Sequence, residues 1–339
     1  MAKWKDSINL WNHLSIKRTL NLVHLYLGYS WSRWTKIPIN AAYPFSLSIE
    51  PTTACNLGCP ECPSGLKQFT RPTGKIDLSV HQKILNDVKG SVFYINYYFQ
   101  GEPFLHPQFL DLIAQAKNEN IYTATSTNAH FIDATMALKI IDSGLDRLII
   151  SIDGLTQETY EQYRVHGKLN KVLSATKHLI DAKKDRKSST PFLIFQFLAV
   201  RANEHEIPGV FELGKSFGID EVRIKTAQLY DFENGNPLLP TNEKYARYQL
   251  KKDGTYRLKG NQINACWRMW SGSVLTWDAK VVPCCFDKDA THVLGDASTT
   301  DFKAIWRGAS YKNFRKALLT DRQNIDICKN CSEGTKVWS

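Results

Sequence analysis

The chain has 339 residues, 43% of them hydrophobic and 12% aromatic, enough to bury one large core or one core with an appended module. Its 43 Lys and Arg outnumber its 33 Asp and Glu for a formal charge of +10, and its eight cysteines cluster at residues 55–62 and 266–331, at either end of a long cysteine-free segment. That distribution excludes a small secreted disulfide scaffold, which is cysteine-dense throughout. It fits metal sites in a reducing compartment, so a cytoplasmic protein is expected.

Residues 1–42 form a basic segment. Lys3, Lys5, Lys17, Arg18, Arg33 and Lys36 stand against Asp6 alone, and Trp4, Trp11, Trp31 and Trp34 lie among them. The segment has no uninterrupted apolar run of signal-peptide or transmembrane length. Leu20, Val23, Leu27, Trp31 and Trp34 recur at spacings of three and four, which predicts a helix with one apolar face. Such a face packs on the outside of the fold or, being basic and Trp-bearing, lies on an anionic membrane surface such as that of the inner membrane.

From residue 43 to 230 strand-like and helix-like runs alternate. FSLSIE, VFYINYYFQ, IYTATST, RLIISI, FLIFQFLAV and EVRIKTAQ read as strands, and LSVHQKILNDV, FLDLIAQAKN, ATMALKIID, LNKVLSATKHLIDA and GVFELGKSFG read as the helices between them. Doubly apolar strands joined by helices imply a parallel sheet, and right-handed crossovers curl it. The fold class expected is α/β, a partial (β/α)6 barrel. Residues 231–265, beginning with the turn-rich ENGNPLLPTNEK, read as a linker, and 266–339 as a small second module.

Cys55, Cys59 and Cys62 fall in the loop leaving the first strand, on the side of a β/α barrel where active sites assemble. Gln100 to Pro103 (QGEP), Ser126 to Ala129 (STNA) and Ser151 to Gly154 (SIDG) follow the next three strands on the same side. A structural zinc closes its tetrahedron with four protein ligands, so three local thiolates would need a distant fourth. A [4Fe-4S] cube on three cysteines keeps one iron open.

The Cys-x3-Cys-x2-Cys spacing, the strand-end GEP, and SIDG followed by YRVHGKLNKVL resemble the radical S-adenosylmethionine (radical SAM) enzymes over about residues 44–230. The resemblance implies that Cys55, Cys59 and Cys62 ligate a [4Fe-4S] cluster whose open iron takes SAM. It assigns Gly101 and Glu102 to the SAM amino group, Ser151 and Asp153 to its ribose or carboxylate region, and Arg164 to its carboxylate, with Ser126 and Asn128 on the same rim. Gln100 stands where that family has a first glycine, and Glu61 where it often has an aromatic residue.

The stretch ACWRMWSGSVLTWDAKVVPCCFDK, with LGDAS, FKAIWRG and Cys-Lys-Asn-Cys downstream, resembles the SPASM/twitch auxiliary-cluster domains, with Ala279 at the usual glycine of Gly-x4-Cys. The resemblance implies one auxiliary [4Fe-4S] cluster on Cys266, Cys284, Cys328 and Cys331, and leaves Cys285 over. Four such cysteines also suit zinc. The implied activity is that of a radical SAM oxidoreductase, which reductively cleaves SAM and abstracts a substrate hydrogen in a net oxidation assisted by the auxiliary cluster. Redox-neutral epimerisation and peptide maturation are the alternatives. A zinc-bearing scaffold or nucleic-acid-binding module is the reading from another class, but no ordered basic-aromatic stripe appears on the barrel and no nucleic acid is expected. The positive balance favours an anionic small-molecule or lipid-linked substrate, with Lys225, Gln196 and Tyr98 as candidate lumen residues and a flavodoxin or ferredoxin as electron donor.

Overall fold

The computed structural model describes residues 2–333; Met1, residues 334–339 at the end of the second module, and the side chains of Ala2 and Lys3 lie outside the described residues. Two helices, α1 (Ala2–Asn12) and α2 (Ile16–Thr35), open the chain in place of the one expected, and Ser15 caps α2 by accepting from the Arg18 backbone N–H. The barrel follows as β1 (Ser46–Ile49), α3 (Pro63–Leu66), α4 (Leu78–Val88), β2 (Tyr94–Asn96), α5 (Phe109–Asn118), β3 (Tyr122–Thr127), α6 (Ala134–Asp142), β4 (Arg147–Ser151), α7 (Gln157–Tyr163), α8 (Leu169–Asp185), β5 (Phe192–Ala199), α9 (Ile207–Phe217) and β6 (Glu221–Thr226). These six strands pair in parallel in the order β1 to β6. Leu47, Ile49, Leu148, Ile150, Leu193, Phe195 and Phe197 point outward into the helix layer and form the main core, while Ser46 and Ser48 alternate with them to face inward. Ile149, Phe192 and Ile194, which alternate with these core residues, form a small apolar cluster of their own.

The remaining elements are a hairpin of β7 (Tyr248–Leu250) and β8 (Tyr256–Leu258), then α10 (Arg268–Ser271), β9 (Gly272–Leu275), β10 (Lys280–Val282), β11 (Gly295–Asp296), α11 (Phe302–Arg307), α12 (Ala309–Asp321) and α13 (Asp326–Lys329). Two readings change here. Residues 231–265 are not a plain linker, since they carry the β7–β8 hairpin and Tyr248, whose hydroxyl donates to Asn330 Oδ1 at 2.8 Å. The second module is not a separate unit, because β9 pairs in parallel with β1 and extends the barrel sheet to nine strands through β10 and β11. Gly272 permits that junction: a Cβ there would lie 2.8 Å from Ser46 Oγ. One core therefore runs from the barrel helices to Trp270, Phe302 and Trp306.

α1 covers the end of the barrel opposite the cysteine loop. Asp6 accepts from the Tyr122 hydroxyl and the Arg147 guanidinium at the starts of β3 and β4, and Asn9 Nδ2 donates to Asp146 at 2.9 Å. Arg18 is buried and donates to four backbone carbonyls, those of His13, Lys89, Glu119 and Asn120. The predicted apolar stripe of α2 is exposed, contrary to the packed reading. α2 buries the face of Leu25, Gly28, Tyr29 and Ser32 instead, with Tyr29 against Trp267 and Trp270 at 5.2 and 5.4 Å. Helical spacing locates an apolar face. It does not say which of two such faces the core takes.

One buried titrating group sets a pH limit on this fold. His81 on α4 lies between Tyr97 Oη (2.8 Å) and Gln115 Oε1 (2.6 Å), and burial pushes its pKa from 6.5 down to about 4. The unfolded chain binds this proton first. His81 therefore contributes stability above pH 6.5 that is lost as pH falls toward 4, up to about 3 kcal/mol. Urea titrations across that range are expected to show the loss, and His81→Asn to flatten it.

Candidate active site

The loop after β1 is shaped before any metal arrives. Cys62 N–H donates to Cys59 O at 3.2 Å, Gly58 N–H donates to Val165 O at 3.0 Å, and Gly65 passes so close that a Cβ would lie 2.7 Å from Cys59 N. Cys59, with Leu57 and Tyr163, belongs to an apolar cluster against which Cys55 and Cys62 pack. Burial pushes the Cys55 thiol up to about 11 and raises that of Cys59. The free thiols of Cys55 and Cys59 are therefore neutral, and an electropositive metal is what would draw off their protons. Gln100, at the departed glycine, brings Oε1 to 3.9 Å from Cys62 Sγ.

The GEP turn locks to this loop through its backbone. Gly101, at φ 75°, donates to Ser64 Oγ at 2.9 Å, and a Cβ on it would sit 2.2 Å from Thr52 O, so no other residue fits. Glu102 N–H donates to Ala54 O at 2.7 Å. Its carboxylate is buried and accepts from Asn128 N–H (2.7 Å), Thr127 Oγ1 (2.7 Å) and Phe104 N–H (3.2 Å), while burial lifts its pKa to about 7. Asn128 Nδ2 reaches Asn56 Oδ1 at 2.8 Å, closing a ring from β3 back to the cysteine loop.

From β4, Asp153 is fully buried with both oxygens engaged. Oδ2 accepts from Arg164 Nε at 2.5 Å and Oδ1 from Leu198 N–H at 2.6 Å. Arg164 in turn brings Nη1 to 3.8 Å from Cys59 Sγ, so Asp153 holds Arg164 at the cysteine loop. Ser126 and Ser151 stand at the ends of β3 and β4, with no side-chain partner among the described residues. Glu61 accepts from Tyr230 N–H at 3.0 Å, tying the loop to the segment after β6.

A second site lies in the C-terminal part. Cys266, Cys284, Cys328 and Cys331 line one narrow chamber walled by Met269, Phe286, Phe314 and Leu318. Among the described residues no three such side chains close round a single metal ion. Arg322 is buried beside the chamber, donating to Ala265 O and Glu333 O at 2.9 Å and to Cys331 Sγ at 3.4 Å, with Nε unpartnered. A buried cation against four thiols suits a negatively charged thiolate cluster. Ala279 keeps the family glycine's backbone at φ 61°, which explains why the substitution leaves the hairpin intact. Cys285 lies outside the chamber, in a cleft with Ser46, Ser48, Asn96 and Arg268.

Both sites lie in segments that match known families. A model of the radical SAM superfamily matches residues 49–197, and a model of the SPASM iron-sulfur cluster-binding domain matches residues 266–332. The chain is a radical SAM protein with a C-terminal SPASM domain. A similar curated protein is the tungsten-containing aldehyde ferredoxin oxidoreductase cofactor-modifying protein of Pyrococcus furiosus, 22% identical over 84% of this chain and 86% of that one. PqqA peptide cyclase of Gluconobacter oxydans is 26% identical over 59% of this chain and 55% of its own length. The fold is shared with BtrN in complex with AdoMet and 2-DOIA, at a TM-score of 0.54 and 16% identity over 86% of this chain and 94% of that one. It is also shared with anSMEcpe with bound AdoMet, at 0.60 and 18% over 85% and 83%. A radical SAM protein of this architecture carries a [4Fe-4S] cluster and SAM, with auxiliary iron–sulfur in its SPASM domain.

Spacing singled out Lys225 but missed the cations that converge on it. Lys225 on β6 is exposed at its surface, yet partial desolvation and the nearby Arg223, Arg268 and Arg247 hold it below its ordinary pKa. Arg223 is paired with Glu221, and Arg268 with Glu333 at 2.8 Å while its Nη1 lies 3.8 Å from Cys285 Sγ. Lys225 has no ion pair among the described residues, and Arg247 keeps Nε and Nη1 buried without a partner. Arg247 and Arg268 come from the segment after the barrel, so no local pattern announces their convergence with β6. Of the candidate lumen residues, Tyr98 lies near Cys285 and Arg268, and Gln196 pairs in register with Ser151.

Proposed function

We propose that this protein is a radical SAM oxidoreductase that removes a hydrogen atom and then a second electron from an anionic substrate held in the barrel. Cys55, Cys59 and Cys62 hold the SAM-binding cluster. Arg164, positioned by Asp153, takes the SAM carboxylate, and Gly101, Asn128, Ser126 and Ser151 line its remaining polar groups, with Glu102 fixing the turn. Cys266, Cys284, Cys328 and Cys331 hold one auxiliary [4Fe-4S] cluster. When bound, these groups supply one-electron cleavage of SAM to methionine and a 5′-deoxyadenosyl radical, and an acceptor for the electron the substrate radical gives up with a proton. The groove of about 750 Å³ flanking Cys55, with Lys67 and Lys75 on its wall, suits the approach of an acidic flavodoxin or ferredoxin.

The convergence of Lys225, Arg247 and Arg268 beside Cys285 carries the substrate reading. Lys225 has no ion pair among the described residues and Arg247 keeps two buried nitrogens unpartnered, and a phosphate or carboxylate would complete them. They also lie near the auxiliary cysteines, since Cys331 is among the charges that act on Arg247. A bound anion would then lie on the side of the auxiliary cysteines. Cell extract resolved by anion exchange is expected to yield a retained fraction that raises 5′-deoxyadenosine formation at least ~10-fold, and Lys225→Glu to abolish that rise. Stimulation by the unretained fraction would remove the anionic substrate.

A further inference from the structure

The two N-terminal helices take no part in the chemistry above, yet they carry the largest run of exposed apolar side chains in the described residues. On α2, Ile16, Leu20, Val23, Leu27, Trp31 and Trp34 follow one helical stripe, and the stripe faces out: Ile16 is 82% exposed and Trp34 78%, whereas Leu25 on the opposite face is 1% exposed. On α1, Trp4, Ile8 and Trp11 repeat the pattern, with Trp4 75% exposed. Because α2 already has a complete buried face, this stripe is not a core surface left unfilled. Soluble surfaces rarely leave so much contiguous apolar area to water.

The charge beside the stripe indicates what covers it. Ile16 and Leu20 form one wall of a groove of about 630 Å³ that Lys17, Lys303 and Arg307 also line, and no carboxylate lines it. None of these three cations has an ion pair among the described residues; Lys303 and Arg307 lie over the Tyr43 ring at 5.7 and 4.4 Å. Asp6, the segment's one acid, is turned away and buried against Arg147. The groove has the size and charge for a phosphate headgroup, and tryptophans beside it suit the boundary between headgroups and acyl chains.

We infer that the outward face of α1 and α2 seats this protein on an anionic phospholipid surface, with the α2 stripe among the acyl chains and Lys17, Lys303 and Arg307 against headgroup phosphates. A second copy of the chain fits less well, since a symmetric contact through this face would set its cations against each other. Among the described residues no helix is long and apolar enough to cross a membrane, so the contact is peripheral. The inference is independent of the substrate reading.

The test uses the full-length, cluster-loaded protein and sedimentation with vesicles of phosphatidylcholine alone or mixed with phosphatidylglycerol. Binding is expected on the mixed vesicles at low salt and is expected to weaken at ~0.5 M salt. Trp31→Ala with Trp34→Ala, and separately Lys17→Glu with Lys303→Glu and Arg307→Glu, should each lower it at least ~10-fold. These residues are surface groups, so circular dichroism and substrate-free SAM cleavage are expected to match wild type. The inference is overturned if the protein ignores the mixed vesicles, if both variants bind like wild type, or if binding does not depend on phosphatidylglycerol. It is equally overturned if ultracentrifugation without lipid shows a dimer that the Trp variant dissociates, which assigns the face to a second copy.

Discussion

Cys59→Ala is expected to form no 5′-deoxyadenosine above background and to carry about four irons per chain where the wild type carries about eight. The reason is geometric. Cys59 is buried in the loop after β1, its backbone contacts Gly65 and Cys62, and its sulfur faces the Arg164 guanidinium that Asp153 holds in place. Removing it takes a ligand from the cluster that has an open iron, and no other cysteine is within the same loop to replace it beyond Cys55 and Cys62. The same outcome is expected for Cys55→Ala and Cys62→Ala. Iron and sulfide analysis with product chromatography of the reduced protein checks it, and normal cleavage in any of the three variants removes that cysteine from the site.

Arg322→Leu is expected to destabilise the protein by roughly 3–5 kcal/mol and to bring its iron down to about four per chain. Arg322 is 1% exposed and supplies donors to Ala265 O, Glu333 O and Cys331 Sγ. Leucine leaves those carbonyls unpaired inside the protein and withdraws the positive charge that faces the four sulfurs. If part of the auxiliary cluster survives, its midpoint potential should fall, because a nearby cation favours the more negative reduced state. SAM cleavage by the three-cysteine site is expected to persist. Denaturation curves and iron analysis read the first two effects; a variant as stable and as iron-rich as wild type would show that Arg322 is not the chamber's counter-charge.

Most of the barrel was legible because its signals are local. The helix reads at Leu78–Val88, Phe109–Asn118 and Ala134–Asp142 coincide with the apolar periodicity of their own residues, and the cysteine loop, GEP and SIDG each sit at the end of their own strand. What was not legible depends on partners distant in sequence. The attachment of β9 to β1 rests on a glycine facing Ser46 across more than two hundred residues, and no spacing rule reports it. Asp153 was assigned to SAM from its position after β4, whereas its two oxygens are taken by Arg164 and the backbone of β5. The α2 stripe was read correctly as apolar, but the sequence left open whether it packs on the fold or faces outward; the core takes the opposite face, where Tyr29 meets Trp267 and Trp270, which the N-terminal sequence does not contain. The cations around Lys225 were invisible for the same reason: they reach one space from β6, from the hairpin segment and from α10.

If SAM binds at the three-cysteine site alone, electron paramagnetic resonance of the dithionite-reduced protein will show it. Spectra of wild type, Cys328→Ala and Cys59→Ala would be taken with and without SAM. SAM is expected to change the signal in wild type and in Cys328→Ala, and to leave the remaining signal of Cys59→Ala untouched. A SAM-dependent change that survives Cys59→Ala, or one lost in Cys328→Ala, would contradict it.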